Sequence, residues 1–300
     1  MNDDFDMSRT CRLDLHDLTK SIQSLDRTAR SIPAMDPAAQ SMPRVLVDIF
    51  GDEVRGLRFR NAKLSQVVGS LLEKLNLPES HAHLVRGGLC IAQKVDETGA
   101  DQPSYHNQYH IAEVVMAAFI LGKRERLPEF LIAEIVVAAA GHDLGHPGHN
   151  NTSPFEIETL SFHIAAPILT ECGWNEAELH RFRQMLMATD FVNGVPFARS
   201  NYLETRSLPP ESAAFCEATQ CIVLTEADIL FSCFTTEYNE ELSKLLSQEW
   251  NLPTANLTVK QRLGFLNSVT FLSGAARQLG LEHRRLALVA ELEDQLRAGA

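Results

Sequence analysis

The chain has 300 residues, of which 45% are hydrophobic and 22% charged, a balance typical of a folded globular protein rather than of a disordered or collagen-like one. Its formal net charge of -12 argues against nucleic acid and anionic lipid surfaces as partners, because both are negatively charged. The longest apolar run, residues 130–140, is shorter than the roughly 20 helical residues that a bilayer requires. We therefore expect no membrane span.

The start of the chain and its cysteines indicate a compartment. Residues 1–6 are acidic and lack the basic start and apolar stretch of a secretion signal, so we expect a cytoplasmic location. The six cysteines include no Cys-x-x-Cys pair, so they predict neither a zinc ribbon nor a redox motif. We expect them to be buried, reduced thiols.

The first 43 residues differ in composition from the rest. They are rich in Ser, Thr, Asp and Arg, and prolines stand at positions 33, 37 and 43. Because proline interrupts helices, a short amphipathic piece near residues 13–25 cannot continue into the following segment. We predict a loosely ordered arm or linker over residues 1–43 and one folded domain over residues 44–300.

The rest of the chain shows helical periodicity. From Leu64 onward, apolar residues recur at spacings of three and four, and the pattern returns in segments as far as Leu296. Strand-like alternation is nowhere sustained. The breaks between segments, rich in Gly, Pro, Asn and Ser, fall at residues 96–104, 145–154, 193–210 and 251–258. This pattern predicts an all-α fold of about nine or ten helices in a single compact domain.

Histidines are concentrated in the middle of the chain, where six of the eleven lie between positions 106 and 163. Residues 105–110 read Tyr-His-Asn-Gln-Tyr-His. If this stretch opens a helix, the spacing of four places His106 and His110 on one face. The two imidazoles would then share a pocket.

A second polar group follows the apolar run at residues 130–140. The run ends in Gly-His-Asp, so His142 and Asp143 stand side by side at the end of a buried helix. Burying a carboxylate is costly unless a cation compensates its charge. Imidazole and carboxylate together suit zinc, magnesium or manganese. Downstream, Asp228 lies within the apolar stretch 221–230 and supplies a candidate fourth ligand, whereas Glu226 faces another side of that helix.

The order His, His-Asp, Asp is the signature of the HD superfamily of metal-dependent phosphohydrolases. More narrowly, the chain resembles the catalytic domain of class I cyclic nucleotide phosphodiesterases, which carries Tyr-His-Asn-x-x-His, His-Asp-x-x-His-Pro-Gly-x-x-Asn and Ala-Asp-Ile. Residues 105–110, 142–151 and 227–229 match these motifs in order. Residues 187–190 and 264–265 resemble two further family segments, and the likeness spans about residues 57–281.

The resemblance implies a role for each matching residue. The metal ligands would be His110, His142, Asp143 and Asp228, holding a zinc ion. Asp143 would also bridge to a second metal, magnesium or manganese. Two metals that share a hydroxide make it a nucleophile near neutral pH and hold a phosphoryl group for in-line attack.

Five further residues have possible supporting roles in the resemblance. His106 would be the general acid that protonates the leaving oxygen. His146 matches a histidine that orients the bridging water, and Glu156 matches the glutamate of the family's Ser-Val-Leu-Glu segment. Thr189 and Asp190 would border the metal pocket, or form a helix-terminal cap.

The substrate side of the chain departs from the family pattern. The family reads its purine with a glutamine three residues before a stacking phenylalanine. Here Phe265 matches the stacking phenylalanine. Arg262 stands at the glutamine position, and Gln261 lies one place earlier, about 100° away on a helix. A purine contact by Gln261 would need a local shift. We expect Arg262 to favour a second phosphate or carboxylate on the substrate.

The sequence thus predicts a metal-dependent phosphodiesterase that hydrolyses a 3',5'-cyclic nucleotide or related small phosphodiester. One alternative is another HD hydrolase, such as a deoxynucleotide triphosphohydrolase, whose His-Asp-Ile-Gly-His-Pro-Pro segment resembles residues 142–147. Another is a non-catalytic module that only binds its ligand. The sequence also leaves open whether the protein forms a homodimer.

Overall fold

The computed structural model describes residues 63–99, 102–233 and 236–298. Within these ranges the chain forms twelve α-helices and two short 3-10 helices, at Glu79–His81 and Phe231–Cys233, and no strand. The α-helices, in chain order, are α1 Leu64–Leu72, α2 Ala82–Thr98, α3 Gln108–Arg124, α4 Glu129–Gly141, α5 Glu156–Glu171, α6 Glu176–Met187, α7 Gly194–Thr205, α8 Ala213–Leu230, α9 Thr236–Glu249, α10 Val259–Ser268, α11 Gly274–Gln278 and α12 Leu281–Ala298. The predicted all-α fold class is confirmed, whereas the predicted arm over residues 1–43 and its boundary lie outside the described residues.

The centre of the fold is formed by α3, α4 and α8. Helix α4 is buried on every side from Leu131 to Gly141, as its mainly apolar sequence requires, and the one charged residue of this span, Glu134, is paired with Arg181. It packs against α3, and both pack against α8, while α1 and α2 cover the other side of the pair. The ends of the three central helices therefore meet inside the molecule, where they position polar residues in an otherwise apolar environment.

Two helices of more than ten residues were not predicted. Helix α7 lies in the stretch 193–210, which the sequence marks as a break because of its Gly and Pro residues. Pro196 falls in the first turn of α7, where a backbone N–H has no helical partner, so it does not disrupt the helix. Helix α9 has few apolar residues, and its inner side buries the polar residues Asn239, Ser243 and Ser247. Its periodicity is therefore weak in the sequence.

Hydropathy adds one observation. Among the described residues no single helix is long and apolar enough to cross a membrane, and only the bent pair 213–233 and 237–249 meets the length and composition criteria jointly.

Candidate active site

Helix α3 begins inside the Tyr-His-Asn motif. The Asn107 side chain accepts hydrogen bonds from the backbone N–H groups of Tyr109 and His110, at 2.9 and 3.4 Å, and so caps the helix. His110 lies in the first turn of α3, whereas His106 precedes the cap. The expectation that both histidines share one helical face is therefore wrong, because the asparagine starts the helix between them. Their rings nevertheless lie edge to face, with centroids 5.6 Å apart.

His142 follows the last residue of α4. Its Nδ1 donates a hydrogen bond to the carbonyl of Ala139 at 2.8 Å, which turns Nε2 away from its own helix. Asp143 comes next, in a turn that depends on Gly145 with a φ of +81°. A side chain at that position would be strained, and its Cβ would lie 2.6 Å from Ile164 Cδ1. The helix end and this turn together direct His142 and Asp143 to the same point.

The four predicted metal ligands converge there, and we call them the primary cluster: His110, His142, Asp143 and Asp228. His110 Nε2 lies 3.1 Å from Asp228 Oδ1 and 3.4 Å from Asp143 Oδ2. His142 Nε2 lies 3.1 Å from Asp143 Oδ2 and 3.6 Å from Asp228 Oδ1. Ligand atoms around a tetrahedral zinc ion are about 3.3 Å apart, so the separations in the primary cluster match those of a coordination shell.

The hydrogen bonding of the primary cluster also fits a cation. His142 Nε2 and Asp143 Oδ2 are buried and, although close together, have no hydrogen-bond partner. Buried polar atoms in folded proteins are normally satisfied, and an ion is one way to satisfy them. With two imidazoles and two carboxylates, the donor set is one that zinc accepts readily. The residues present therefore fit a divalent cation.

The charges of the primary cluster favour a cation in the same way. Burial opposes the charged form of both carboxylates, but the neighbouring histidines hold the pKa of Asp143 and the pKa of Asp228 well below the usual value. Burial also opposes a charged His142, yet the two carboxylates raise its pKa well above the usual histidine value. A positive charge at this position is thus stabilised. A metal ion can provide that charge while the histidine ligands stay neutral.

A glutamate that the sequence did not single out holds His106. The Glu249 side chain, 2% exposed, accepts a hydrogen bond from His106 Nδ1 at 2.5 Å and two more from the backbone N–H groups of Tyr105 and His106. Glu249 ends α9 and is 143 residues from His106 in sequence. No local pattern links the two residues, so only the packing of α9 against the start of α3 reveals the pair.

This environment changes the acidity of His106. Burial disfavours the charged imidazolium, but the negative charges of Asp143 and Glu249 outweigh that cost and raise the pKa of His106 above its ordinary value. The hydrogen bond to Glu249 fixes the proton on Nδ1. His106 is therefore suited to carry a second proton on Nε2 near neutral pH, as a general acid requires.

His146 lies against His106. The two rings are stacked with centroids 3.8 Å apart and planes 21° from parallel. His146 Nδ1 accepts a hydrogen bond from the backbone N–H of Gly148 at 3.0 Å. Burial lowers the pKa of His146 to about 4, so this imidazole is neutral at physiological pH. The structure thus places His146 beside the acid.

The glutamate predicted to support the metals is not in the site. Glu156 is exposed, and its carboxylate accepts hydrogen bonds from Thr152 and Ser153 at the start of α5. Two residues on, and so on the other side of the helix, Glu158 is buried and accepts hydrogen bonds from Asn151 Nδ2 at 3.0 and 3.3 Å. Burial raises the pKa of Glu158 to about 7, with smaller contributions from the charges of Asp190 and Asp143. Glu158, and not Glu156, is therefore the glutamate of this segment that lies close enough to Asp143 to respond to its charge.

Asp190 behaves as a cap. It is buried and accepts hydrogen bonds from the backbone N–H groups of Val192 and Asn193, just before α7, and from that of Phe155. It thereby ties α7 to the start of α5. Of the two interpretations that the sequence leaves open for Asp190, these contacts favour the cap.

The polar residues expected on the substrate side are used inside the protein. Gln261 is exposed, and its Oε1 accepts hydrogen bonds from Thr258 N and Oγ1, at 2.9 and 2.8 Å, closing a capping box at the start of α10. Arg262 is 6% exposed, and its Nη1 donates a hydrogen bond to Asn239 Oδ1 at 3.1 Å. Its Nη2 lies 3.5 Å from a carboxylate oxygen of Glu240. This ion pair already neutralises the guanidinium, so the expected preference for an anionic substrate group has no support.

Phe265 lies beside a second aromatic ring. Its ring is half-buried and stacks on Phe191, with centroids 5.3 Å apart and planes 22° from parallel. Phe191 directly follows Asp190 and is 40% exposed. The two rings together form a partly exposed aromatic face.

Two comparisons bear on this arrangement. Residues 105–165 match the family model described as 3'5'-cyclic nucleotide phosphodiesterase. This match supports the likeness to the catalytic domain of class I cyclic nucleotide phosphodiesterases. The matched segment includes His106, His110, His142 and Asp143.

The fold of the chain has a counterpart among solved structures. The structure of the Leishmania enzyme LmjPDEB1 in complex with IBMX matches with a TM-score of 0.65 and 16% sequence identity, covering 92% of this chain and 98% of that one. No curated protein matches the chain. The predicted resemblance, fold class and enzyme class are thus confirmed. The cytoplasmic location and the homodimer stay predictions.

Proposed function

We propose that this domain hydrolyses 3',5'-cyclic nucleotides through metal ions held by the primary cluster, with His106 as the general acid. The observation that carries the proposal is the convergence of four side chains, from α3, α8 and the turn that follows α4, on one point beside a histidine poised to give up a proton. The family match and the shared fold support the reaction class.

The primary cluster would hold a zinc ion, and Asp143 would also contact a second metal, magnesium or manganese. When bound, such ions supply Lewis-acid activation of the phosphate and of a water nucleophile. The chain's own contribution is to fix the ligands. The bond from His142 Nδ1 to Ala139 keeps Nε2 directed inward, which is the usual way in which a protein selects the ligating nitrogen.

His106 would deliver the proton that the leaving oxygen needs. Glu249 holds the Nδ1 proton, so the proton available for transfer is the one on Nε2. After transfer the imidazole is neutral, and the carboxylate of Glu249 keeps it in the same orientation and tautomer. Glu249 is therefore a positioning residue for the acid.

The aromatic face of Phe191 and Phe265 would receive the base. Flat heteroaromatic rings stack on such faces whatever the identity of the base, because every base has a π-face. Since Gln261 and Arg262 are engaged within the protein, their side chains are not offered to the base edge. We therefore propose weak discrimination between adenine and guanine.

A substrate panel tests the proposal. Purified protein with Mg²⁺ or Mn²⁺ is assayed on cyclic AMP, cyclic GMP, a cyclic dinucleotide, deoxynucleoside triphosphates and a chromogenic phosphodiester. We expect nucleoside monophosphate from the two cyclic mononucleotides at similar rates, and loss of this activity in His106→Asn. Release of tripolyphosphate from the triphosphates alone would favour the HD-hydrolase alternative, and metal-loaded protein without any turnover would favour a binding module.

A further inference from the structure

The general acid belongs to a second group of potential ligands, which we call the acid cluster: His106, His146 and Glu249. One nitrogen or oxygen atom from each of the three residues lies within 4.8 Å of the other two. None of the three is exposed, and the Glu249 side chain is 2% exposed. The acid cluster shares no residue with the primary cluster, so both could be occupied at once.

The atoms of the acid cluster are arranged for coordination. Stacking brings the His106 and His146 rings to a centroid separation of 3.8 Å, and Glu249 Oε1 lies 2.5 Å from His106 Nδ1. The Nδ1 of His146 is occupied by Gly148, which leaves its Nε2 as the available ligand atom. His146 is neutral at physiological pH, as a metal-binding imidazole must be.

The chemistry of the acid cluster selects the kind of ion. Two imidazoles and one carboxylate form a ligand set that binds zinc with a fourth position open to water or substrate. Zinc bonds of about 2.1 Å would replace the hydrogen bond between His106 Nδ1 and Glu249 Oε1, and these two atoms would separate from 2.5 Å to roughly 3.3 Å. Magnesium is a poor occupant because it prefers an octahedron of oxygens.

We propose that the acid cluster is an inhibitory site for a further zinc-like transition-metal ion. The inference rests on the proposed function, because its effect is to disable the general acid. An ion bound by His106 takes the lone pair of one ring nitrogen and the carboxylate of Glu249, and His106 then no longer cycles between imidazolium and imidazole. Proton delivery to the leaving oxygen stops while the primary cluster stays loaded.

The test uses the holoenzyme with both catalytic metals and saturating Mg²⁺, to which Zn²⁺ is added. Equilibrium dialysis with elemental analysis should find one further zinc ion per chain, and turnover should fall as that ion binds. His146→Ala removes a ligand without touching the primary cluster and should weaken both zinc binding and inhibition by about 100-fold. His149→Ala is the matched control, because His149 is exposed on the same loop and outside the cluster. It should behave as the wild type.

Three results would overturn the inference. These are equal inhibition of the wild type and His146→Ala, relief of inhibition by additional Mg²⁺, and the absence of a further bound zinc ion. His146→Gln, with thermal unfolding as a check on folding, replaces His146→Ala if the latter is unstable. A protein that hydrolyses no cyclic nucleotide would contradict the proposed function. The zinc site could still be tested in such a protein, because dialysis measures zinc stoichiometry without any turnover.

Discussion

The metal side of the site, where α3, α4 and α8 meet, and the substrate side, on α10, use their polar residues differently. On the metal side His142 Nε2 and Asp143 Oδ2 are left without hydrogen-bond partners. On the substrate side, Gln261 closes a helix cap and Arg262 is paired with Asn239 and Glu240.

This difference shows which polar residues are available for chemistry. A buried polar atom that the protein leaves unsatisfied is costly, and such atoms persist where a ligand supplies the missing interaction. A polar residue with a complete set of internal partners is held by the fold instead. The primary cluster is of the first kind. Gln261 is exposed and closes a helix cap, and Arg262 is bonded to Asn239 and paired with Glu240, although its Nε has no hydrogen-bond partner.

The strongest test of the metal side is Asp228→Ala. Removing this carboxylate takes away one ligand and half of the negative charge that stabilises a cation beside His142. We expect the bound metal to be lost and turnover to fall by roughly 1,000-fold or more, since metal ions supply several kcal/mol of transition-state stabilisation. Elemental analysis and steady-state assays measure the two effects. Full metal content in the variant would show that Asp228 is not a ligand.

His106→Asn should reduce kcat by about 100- to 10,000-fold, the usual contribution of a general acid. Metal content should not change, because His106 does not belong to the primary cluster. Comparing this variant with Asp228→Ala separates proton transfer from metal binding. A variant that loses metal as well as turnover would assign His106 to the metal centre.

Glu249→Gln should shift the pH dependence of the reaction. An acid must be protonated, so activity falls as the pH rises through the pKa of His106, which Glu249 helps to raise. Without that carboxylate the pKa falls and the basic limb of kcat/KM moves to lower pH, with about a tenfold loss on the alkaline side. A pH–rate profile measures the shift. An unchanged basic limb would contradict the positioning role.

On the substrate side, Arg262→Met should destabilise the fold without altering substrate preference. The substitution leaves the buried Asn239 Oδ1 without its donor, which costs about 1–3 kcal/mol of unfolding free energy. Urea denaturation measures this cost, and Arg262→Lys serves as the charge-retaining control. Unaltered stability combined with a selective loss of activity on substrates that carry an extra phosphate would restore Arg262 to substrate binding.

The smallest effect is expected for Gln261→Ala. The exposed side chain closes the capping box of α10, so its loss should cost about 0.5–1 kcal/mol of stability. The ratio of kcat/KM values for cyclic AMP and cyclic GMP should stay the same. A changed ratio would mean that Gln261 reaches the base.

The sequence predicts the metal ligands better than it predicts the residues that support them, and the reason is physical. The metal ligands could be predicted because His142 and Asp143 are adjacent, and because the motif places His110 within the first turn of α3. Glu249 and Glu158 could not, since their roles depend on which side of a helix packs inward and on partners far away in the chain. Most helices follow from apolar periodicity, but α9 buries polar residues and so hides its pattern.

The most direct test of the metal centre is anomalous diffraction from a crystal of the protein grown with zinc. Apart from any zinc ion held by the acid cluster, the account predicts a strong zinc peak about 2.1 Å from His110 Nε2, His142 Nε2 and an oxygen of each of the two aspartates. A map without a peak at this point, or a zinc ion coordinated elsewhere while Asp228 turns away, would contradict it.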